Sequence, residues 1–299
     1  MPRIARRAAD CLRHPVRTFH SLRLRADIAR LELRNRFSHS PVATGKPGAV
    51  VSLTTYGKRV SVAHLAIESI ARGSVVPSRL ILWLDDTALF ANPPQPLRRL
   101  QQRGLEIRLC KNYGPHKKYY CYVESEQDFT DPLVTADDDV IYPRSWLAGL
   151  VDAYQQFPQY VNCYRARVMT LRDGVIASYR DWPLCDSTKP DFKTMATGVS
   201  GVIYPGAVLK ELKRAGLGFE SRCSRNDDLW LHVHAVRSGF RIRQIQPDAI
   251  HFPIIPGTHE TALYVENYAQ GDGNDRQIAL VYETRDLELI EGKAVAAHA

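Results

Sequence analysis

Three consecutive carboxylates, Asp137, Asp138 and Asp139, lie between an apolar run and a proline in the stretch VTADDDVIYP. Adjacent like charges repel one another, so this arrangement is costly unless a cation or hydrogen-bond donors face it. In an extended chain the side chains alternate, which predicts that Asp137 and Asp139 share one face and that Asp138 lies on the other. Mg²⁺ and Mn²⁺ commonly bind one or two carboxylates together with substrate phosphate oxygens. The triplet therefore predicts a site for a divalent metal and a diphosphate, and the alternative is a solvated acidic turn or helix cap.

A second acidic pair, Asp227 and Asp228, begins the segment DDLWLHVHAVRSGF. Asn226 precedes the pair as a suitable N-cap, and acids in a first helical turn are favoured by the helix dipole, so capping alone could explain them. The apolar residues that follow predict a buried helix whose acidic end opens into a cavity. There, Asp228 or Asp227 could act as general base on a hydroxyl.

Basic and imidazole side chains near these acids are further candidates. Lys117 and Lys118 follow a Gly-Pro turn in NYGPHKKYY and could neutralise a diphosphate, although surface lysine pairs are commonly just solvated. His251, in DAIHFP, follows a strand-like run. Its imidazole could complete the coordination of a metal held by Asp139, or it could be structural.

Strands and helices alternate along the chain from residue 49 onward. The predicted strands are Ala49–Thr55, Arg79–Asp86, Leu105–Cys110, Leu133–Ala136, Tyr160–Tyr164 and Gly201–Pro205. The predicted helices are 60–72, a short one after Pro94, one from Lys117, one that Pro143 starts, and Asp227–Ser238. Alternation on short connections predicts an α/β fold with a mainly parallel, doubly wound sheet, which the second half extends into a mixed sheet.

Polar residues follow three of these strands at the point where each strand ends. They are Thr54, Thr55 and Tyr56, then Asp85 and Asp86, and then Asp137 to Asp139. Sheets of this kind bind ligands beyond the carboxyl ends of their strands. We therefore expect the three groups to converge on one crevice.

The net charge of +8 is concentrated at the N-terminus. Residues 1–36 hold ten arginines and three acids, which gives this segment +7 and leaves +1 for the rest of the chain. Leu24, Ile28 and Leu31 recur at helical spacing among these arginines, as in an interfacial helix. We predict that residues 1–40 bind an anionic membrane surface, and the alternative is an amphipathic helix packed on the body. No nucleic-acid partner is predicted, because the segment has few aromatic residues and no recognised binding motif.

Hydrophobic content of 44% and charged content of 24% are typical of a globular protein. No apolar run approaches the roughly 18 residues that a membrane-spanning helix requires, and no signal-peptide core begins the chain. These features predict a cytoplasmic protein that is peripheral at the inner face of the cytoplasmic membrane. Six cysteines without CxxC or zinc spacing predict reduced, structural thiols.

The order and spacing of the segments resemble a bacterial family of GT-A-fold glycosyltransferases, of the family 2-like, DxD-containing type that acts in polysaccharide and lipopolysaccharide biosynthesis. The matching segments are VVSLTTYGKR, RLILWLDD, HKKYY, TADDDVIYPRSWL, GVSGVIYP, NDDLWLH and NDRQI, over about residues 49–282. The resemblance implies a Rossmann-like nucleotide-diphospho-sugar transferase fold and a UDP- or GDP-linked sugar donor. It also implies a glycan or lipid-linked acceptor and Mn²⁺ or Mg²⁺ as cofactor. We accordingly expect a basic, partly helical arm at 1–46, a transferase domain at 47–260, and a tail at 261–299 that packs on or covers the active site.

The resemblance also implies roles for individual residues. Donor-binding residues would be Thr54, Thr55, Tyr56, Arg59, Asp85, Asp86, Lys117, Lys118, Asp137 and Asp138. Asp137 and Asp139 would frame the metal, with His251 as the further candidate ligand, and Gly201 and Trp230 would lie on the acceptor side. Asp228 or Asp227 would be the base of a single displacement with inversion.

Two other functions are compatible with grouped aspartates. A metal-dependent phosphoryl transferase or nuclease could use them to hold two metals, although the chain has no Walker A or similar Gly-rich phosphate loop. A membrane-tethered protein that binds carbohydrate or nucleotide without turnover is the non-enzymatic alternative.

Overall fold

The computed structural model describes residues 15–258 and 273–293. Its strands are β1 Val50–Thr54, β2 Arg79–Leu84, β3 Leu105–Leu109, β4 Leu133–Thr135, β5 Tyr160–Cys163, β6 Ala166–Val168, β7 Leu171–Arg172, β8 Val175–Ile176, β9 Thr194–Ala196, β10 Val202–Tyr204 and β11 Arg241–Gln244. Its α-helices are α1 Pro15–Phe37, α2 Ala63–Ala71, α3 Thr87–Ala91, α4 Gln95–Gln101, α5 Lys117–Ser125, α6 Trp146–Gln156, α7 Gly206–Ala215, α8 Phe219–Arg222, α9 Asp227–Arg237, α10 Gly273–Val281 and α11 Thr284–Ile290.

Seven strands form the central sheet, in the order β11-β5-β10-β4-β1-β2-β3. Strand β10 is antiparallel to both of its neighbours, and the other pairings are parallel. The predicted α/β class, with a mixed and mainly parallel central sheet flanked by helices, is confirmed. The chain runs outward from β1 to β3 and then returns to place β4 on the other side of β1. This reversal creates a topological switch point beyond the carboxyl ends of β1 and β4, where doubly wound sheets bind ligands.

Apolar side chains fill both faces of this sheet, because successive residues of a strand point to opposite sides. Val50 of β1 belongs to the core on the side of α5, α7 and α9. Its neighbour Val51 belongs to the core on the side of α2, α4 and α6. Strands that are buried on both faces read as continuous apolar runs, which is why the sequence reveals them.

Helix α1, within the predicted basic arm, packs against the body of the protein. Leu31 is 1% exposed and contacts the cluster of Leu65, Ile141 and Ile255, and Leu24 and Ile28 pack at its edge. The apolar stripe seen in the sequence is therefore the inner face of α1. The interpretation of this stripe as membrane-facing was wrong, and the alternative of a packed amphipathic helix holds for it.

A buried carboxylate ties α1 to the body. Glu68 of α2 is fully buried and accepts hydrogen bonds from Arg34 Nε at 3.1 Å and from Asn35 Nδ2 at 3.2 Å, both on α1. Arg103, from the loop before β3, makes a second ion pair with the same carboxylate. Because a buried charge left unpaired is costly, these partners fix the position of the helix.

The C-terminal helices pack on α9. Asn226 Nδ2, at the start of α9, donates to Asn274 Oδ1 of α10 at 2.9 Å, and Arg237 at its end pairs with Asp286 of α11 at 2.7 Å. Residues 259–272, within the predicted domain end and tail, lie outside the described residues. The predicted lid role of the tail stays a prediction.

Some predicted elements differ in their bounds. The helix expected to start at Pro143 begins at Trp146, and residues after Thr135 form a turn instead of prolonging β4. Of the helices that the structure describes, none is both long enough and apolar enough to cross a bilayer. The five cysteines within the described ranges are free thiols, as expected.

Candidate active site

The polar groups that follow β1, β2 and β4 lie together, as predicted, because two adjacent lysines at the start of α5 connect them. Lys117 Nζ is 2.6 Å from Asp85 Oδ2 after β2, and Lys118 Nζ is 3.2 Å from Asp137 Oδ1 after β4. Both lysines are buried. Each lysine thus pairs with a carboxylate at the end of a different strand.

The first group of the crevice consists of Tyr56, Asp85 and Lys117. The Tyr56 ring is 37% exposed, and its centroid lies 5.9 Å from Lys117 Nζ. An exposed ring beside a carboxylate offers a flat stacking surface and a hydrogen-bond acceptor to the same ligand.

The neighbouring candidates in this part of the crevice have structural contacts. Asp86 is exposed and caps α3 by accepting hydrogen bonds from the N–H groups of Ala88 and Leu89. Thr54 donates to the carbonyl of Trp83 at 3.1 Å, and Thr55 is fully buried. Of the residues predicted after β1 and β2, Tyr56 and Asp85 are the ones placed to meet a ligand.

The aspartate turn, Asp137 to Asp139, faces two different cations. Arg59 Nη1 lies 3.1 Å from Asp138 Oδ1, and Arg59 Nη2 lies 3.1 Å from Asp139 Oδ2. Asp137 faces Lys118 instead. The predicted alternation was wrong, because β4 ends at Thr135 and the triplet lies in a turn, so extended-chain geometry does not apply.

Burial shifts the proton affinities of this turn. It raises the pKa of Asp138 to about 6, although the nearby Arg59 guanidinium lowers it. Burial and the charge of Asp137 together raise the pKa of Asp139. Burial opposes the positive charge of Arg59, but Asp138 and Asp139 more than offset this and raise its pKa. The turn and its arginine therefore form a mutually dependent charge group.

Lys118 lies at the centre of the crevice, between the aspartate turn and the start of α9. Its Nζ is 3.2 Å from Asp137 Oδ1 and 3.1 Å from Asp227 Oδ2. Burial alone would lower the pKa of Lys118, but the negative charges of Asp137, Asp227 and Asp228 raise it well above its ordinary value. This lysine is the only described cation paired with carboxylates of both acidic clusters.

Two buried contacts hold Lys118 in this position. The Ser52 hydroxyl of β1 donates to the Lys118 carbonyl at 2.5 Å. His116, immediately before α5, is fully buried, and its Nε2 lies 2.6 Å from the carbonyl of Cys223, just ahead of α9. Burial lowers the pKa of His116 to about 4, so the ring is neutral and Nε2–H donates to that carbonyl. This hydrogen bond joins the segment before α5 to the segment before α9.

Asp228 completes this side of the crevice. The residue as a whole is half-buried, and its Oδ1 accepts a hydrogen bond from the Gly198 N–H at 3.0 Å. Burial and the adjacent Asp227 raise the pKa of Asp228 to about 7, against the opposing effects of Lys118 and the Gly198 N–H. A carboxyl whose pKa lies near neutral pH can take up and release a proton.

Gly198 was missed by the sequence analysis. A Cβ at this position would lie 2.9 Å from Lys118 Nζ and 3.2 Å from Asp228 Oδ1, so a side chain here would press on both groups. The segment GVSGVIYP contains this glycine, but only the folded structure shows that α5 and α9 meet against its backbone.

The predicted cap of α9 is confirmed. Asn226 Oδ1 accepts a hydrogen bond from the Leu229 N–H at 3.1 Å. The cap leaves the carboxylates of Asp227 and Asp228 free to face the crevice instead of binding their own helix terminus.

The two predicted acceptor-side residues have structural roles instead. Gly201 has φ +98°, and a Cβ there would come within 2.6 Å of the Trp146 indole, which fills the space. Trp230 is 3% exposed and packs on Phe219 and His234 in the core. Neither residue is open to an acceptor, because each is enclosed by the protein's own aromatic side chains.

His251 lies apart from the aspartate turn. Its Nε2 accepts a hydrogen bond from Arg165 Nε at 2.9 Å, and Arg165 Nη1 donates to Thr197 Oγ1 at 2.6 Å. Burial and Arg165 lower the pKa of His251, so the ring is a neutral acceptor. Within residues 15–258 and 273–293, no contact joins His251 to Asp137 or Asp139.

Asp137 and Asp139 are the predicted metal ligands of the aspartate turn, and each is paired with a cation, Asp137 with Lys118 and Asp139 with Arg59. No cluster of three or more His, Cys, Asp or Glu side chains suited to a metal occurs in the described part of the chain. Asp138 Oδ2 is buried without a hydrogen-bond partner, so the turn retains an unused acceptor. Two carboxylates suit a Mg²⁺ or Mn²⁺ ion whose remaining ligands are water and substrate phosphate. The residues fit such a substrate-completed site and do not form an all-protein cage.

Comparisons with known proteins give similarities at the level of solved structures. No family model and no curated protein matches the chain. A CMP:2-keto-3-deoxy-manno-octonic acid synthetase complexed with CTP has TM-score 0.44 and 12% identity, over 75% of this chain and 99% of that chain. The 4-diphosphocytidyl-2C-methyl-D-erythritol synthase from Anaerococcus prevotii has TM-score 0.46 and 13% identity, over 76% of this chain and 100% of that chain. Residues 1–349 of S. aureus TarS have TM-score 0.45 and 14% identity, over 80% of this chain and 72% of that chain.

Proposed function

We propose that the protein is a glycosyltransferase of GT-A type that moves a sugar from a nucleotide-sugar donor to a hydroxyl of a glycan or glycolipid acceptor, with inversion. The observation that carries this proposal is the Asp228 carboxyl. It accepts a hydrogen bond from the Gly198 N–H at 3.0 Å, its pKa is raised to about 7, and the neighbouring Asp227 shares Lys118 with Asp137 of the aspartate turn. A base beside a cation-lined pocket is the arrangement that hydroxyl attack on a diphosphate-activated carbon requires.

The nucleoside end of the donor would occupy the group formed by Tyr56, Asp85 and Lys117. The exposed Tyr56 ring can stack on a base, and the Asp85 carboxylate can accept hydrogen bonds from ribose or base donors. Lys117 lies 2.6 Å from Asp85 and holds that carboxylate at the mouth of the crevice.

The diphosphate would lie between Lys118 and Arg59. Arg59 pairs with Asp138 and Asp139, and Lys118 pairs with Asp137, so both positive charges adjoin the aspartate turn. Asp137 and Asp139 would hold a Mg²⁺ or Mn²⁺ ion, which when bound supplies Lewis-acid neutralisation of the departing diphosphate. Lys118 stabilises the same leaving charge as a fixed point charge.

The transfer step would begin with removal of a proton from the acceptor hydroxyl. Asp228 accepts the proton of the acceptor hydroxyl as its oxygen bonds to the anomeric carbon. The bond between that carbon and the diphosphate oxygen breaks with its electron pair on the leaving group. Attack opposite to the leaving group inverts the anomeric centre. The Gly198 N–H, 3.0 Å from Asp228 Oδ1, would hold the carboxyl by one oxygen and leave the other for the acceptor hydroxyl.

Binding of the donor can be tested by thermal unfolding of the full chain with nucleoside diphosphates and their sugars, each with and without Mn²⁺. A ligand at 100-fold its Kd should raise the free energy of unfolding by about 2.7 kcal/mol. We expect one nucleoside diphosphate and its sugar to raise the free energy of unfolding in this way. Asp85→Asn should reduce this shift, because the variant loses an acceptor in the crevice. The matched control is Asp152→Asn, an exposed aspartate on α6, which should retain the full shift.

Slow release of nucleoside diphosphate from the stabilising donor would then support transferase chemistry. Stabilisation by nucleoside triphosphates alone, with release of pyrophosphate, would instead indicate nucleotidyl transfer. A complete absence of stabilisation by nucleoside diphosphates and their sugars would contradict the proposal.

A further inference from the structure

Helix α1 carries a second apolar stripe, on the side opposite to the one that packs on the body. Leu22, Leu33 and Phe37 are 59%, 57% and 65% exposed, and they are three of the ten large apolar side chains that the described surface exposes. At about 100° per residue, they fall within one arc of roughly 60° of the helix, and with Ala26 and Ala29 the arc is roughly 80°. This set of five residues is called the outer stripe below.

Arginines border the outer stripe on both sides. By the same helical geometry, Arg25 and Arg36 lie along one edge, and Arg23 and Arg30 lie along the other. All four are exposed. An apolar stripe between two rows of arginines is the pattern of a helix that lies in the plane of an anionic membrane surface, where apolar side chains enter the acyl boundary and guanidinium groups meet phosphates.

A cleft of about 440 Å³ opens beside the outer stripe, between α1 and α4. Its lining includes Leu33 and Arg36 from α1 and Arg99 from α4. Glu32, whose side chain is 54% exposed, also lines the cleft, and its carboxylate lies 3.2 Å from His64 Nε2 of α2. Two guanidinium groups at the rim of an apolar stripe suit the phosphate of a lipid headgroup, because arginine binds phosphate through two parallel hydrogen bonds.

The inner face of α1 lies directly behind the candidate active site. Leu31 packs on Ile255, and the Ile255 N–H donates to the carbonyl of Asp139 at 2.7 Å. A surface bound to the outer stripe is therefore separated from the aspartate turn by α1 and one layer of side chains.

We propose that the outer stripe of α1 binds an anionic phospholipid bilayer, with Arg36 and Arg99 receiving a lipid phosphate in the adjoining cleft. This assigns membrane binding to the face opposite the stripe of Leu24, Ile28 and Leu31. The complementarity of exposed arginines and anionic headgroups selects a bilayer over a second copy of this basic helix, since two copies would repel each other. Binding at this face positions the enzyme next to acceptors that are themselves anchored in lipid.

Sedimentation with vesicles tests the proposal on the full chain. The probe is phosphatidylcholine vesicles with about a quarter phosphatidylglycerol, compared with vesicles of phosphatidylcholine alone. We expect binding to the anionic vesicles that weakens with added salt. Leu22→Ser with Leu33→Ser should weaken it at least about tenfold, because the variant removes two membrane-entering side chains. Leu217→Ser with Leu280→Ser is the matched control, since these leucines are 41% and 56% exposed outside α1, and it should bind like the unaltered protein.

Charge is tested separately with Arg25→Gln and Arg36→Gln, each of which should weaken binding to anionic vesicles by about fivefold. Thermal unfolding of each variant shows whether the fold is retained. Equal binding by the Leu22/Leu33 variant and the unaltered protein would overturn the proposal, and so would equal binding to both kinds of vesicle. Loss of a dimer in the Leu22/Leu33 variant, without vesicle binding by the unaltered protein, would assign the stripe to a second copy instead. Donor hydrolysis without vesicles should not change in this variant, so a failure of vesicle binding is distinguishable from a failure of the proposed activity.

Discussion

The two acidic clusters of the crevice contain the same kind of residue but differ in how their charge is compensated. In the aspartate turn, Arg59 pairs with Asp138 and Asp139, and Asp137 pairs with Lys118. At the start of α9, Asp227 shares that same lysine, and Asp228 has the Gly198 N–H as its hydrogen-bond donor. Each carboxylate of the turn therefore has a cationic partner, whereas Asp228 of the α9 pair has a backbone N–H in place of one.

This difference indicates distinct chemical roles for the two clusters. Carboxylates that face buried cations suit the binding of a charged ligand. Arg59 lowers the pKa of Asp138, which burial still raises to about 6, whereas Asp228 has no paired cation of its own and its pKa is raised to about 7, which suits proton transfer. The placement of the cations, and not the number of acids, distinguishes the cluster proposed to bind the donor from the cluster proposed to hold the general base.

The largest effect on stability is expected when the shared cation is removed. Lys118→Met leaves Asp137 and Asp227 without their partner and should lower the free energy of unfolding at pH 8 by about 3–5 kcal/mol. The loss should become smaller at lower pH, because protonated carboxyls need no cation. Denaturant unfolding at several pH values measures both effects.

The adjacent lysine is the control for this prediction. Lys117→Met removes a buried cation that pairs with Asp85 alone, and the Asp85 side chain is 15% exposed. Since that carboxylate can regain water, Lys117→Met should lower the free energy of unfolding by only about 1–2 kcal/mol. Equal losses in the two variants would show that Lys118 does not join the two clusters energetically.

A smaller effect is expected when the arginine of the turn is removed. In the folded protein the pKa of Asp138 is already raised to about 6, and Arg59→Met should raise it further. An acid with a raised folded pKa favours the unfolded state as the pH rises, because only the unfolded chain ionises freely. Arg59→Met should therefore cost about 2–3 kcal/mol at pH 8 and less at pH 5, where folded Asp138 is already protonated.

Arg79→Met is the matched control for the turn. Arg79 also joins two carboxylates, Glu106 and Glu126, but its side chain is 27% exposed. Solvent screens such a pair, so the loss should be about 1 kcal/mol or less. A pH-independent loss in Arg59→Met would contradict the role assigned to Asp138.

The sequence predicted the central sheet and the convergence of the crevice because both depend on local signals. Buried strands such as β1 appear as apolar runs, and polar residues at their carboxyl ends must meet at one edge of a parallel sheet. Asn226 was likewise predictable as a cap, since that role depends only on residues one turn away.

Pairing between distant segments was not predictable in the same way. Arg59 reaches the aspartate turn across 79 positions, and Gly198 meets Lys118 and Asp228 from a separate loop. The predicted alternation of side chains failed for Asp138 because alternation requires a strand, and β4 ends at Thr135, three residues earlier. The packing of Leu24, Ile28 and Leu31 on the body was also not predicted, since helical periodicity reveals that a stripe exists but not what covers it.

The pH dependence of sugar transfer in Asp228→Asn and Asp227→Asn tests the difference between the clusters most directly. In the unaltered protein, kcat/KM should rise with an apparent pKa near 7 as Asp228 ionises. Asp228→Asn should retain donor binding, lower transfer by about 10²–10⁴-fold and abolish this ionisation. Asp227→Asn should retain the ionisation and move it to lower pH, because the like charge that raises the pKa of Asp228 is gone. Unaltered transfer and an unaltered pH profile in Asp228→Asn would contradict the assignment of Asp228 as the base.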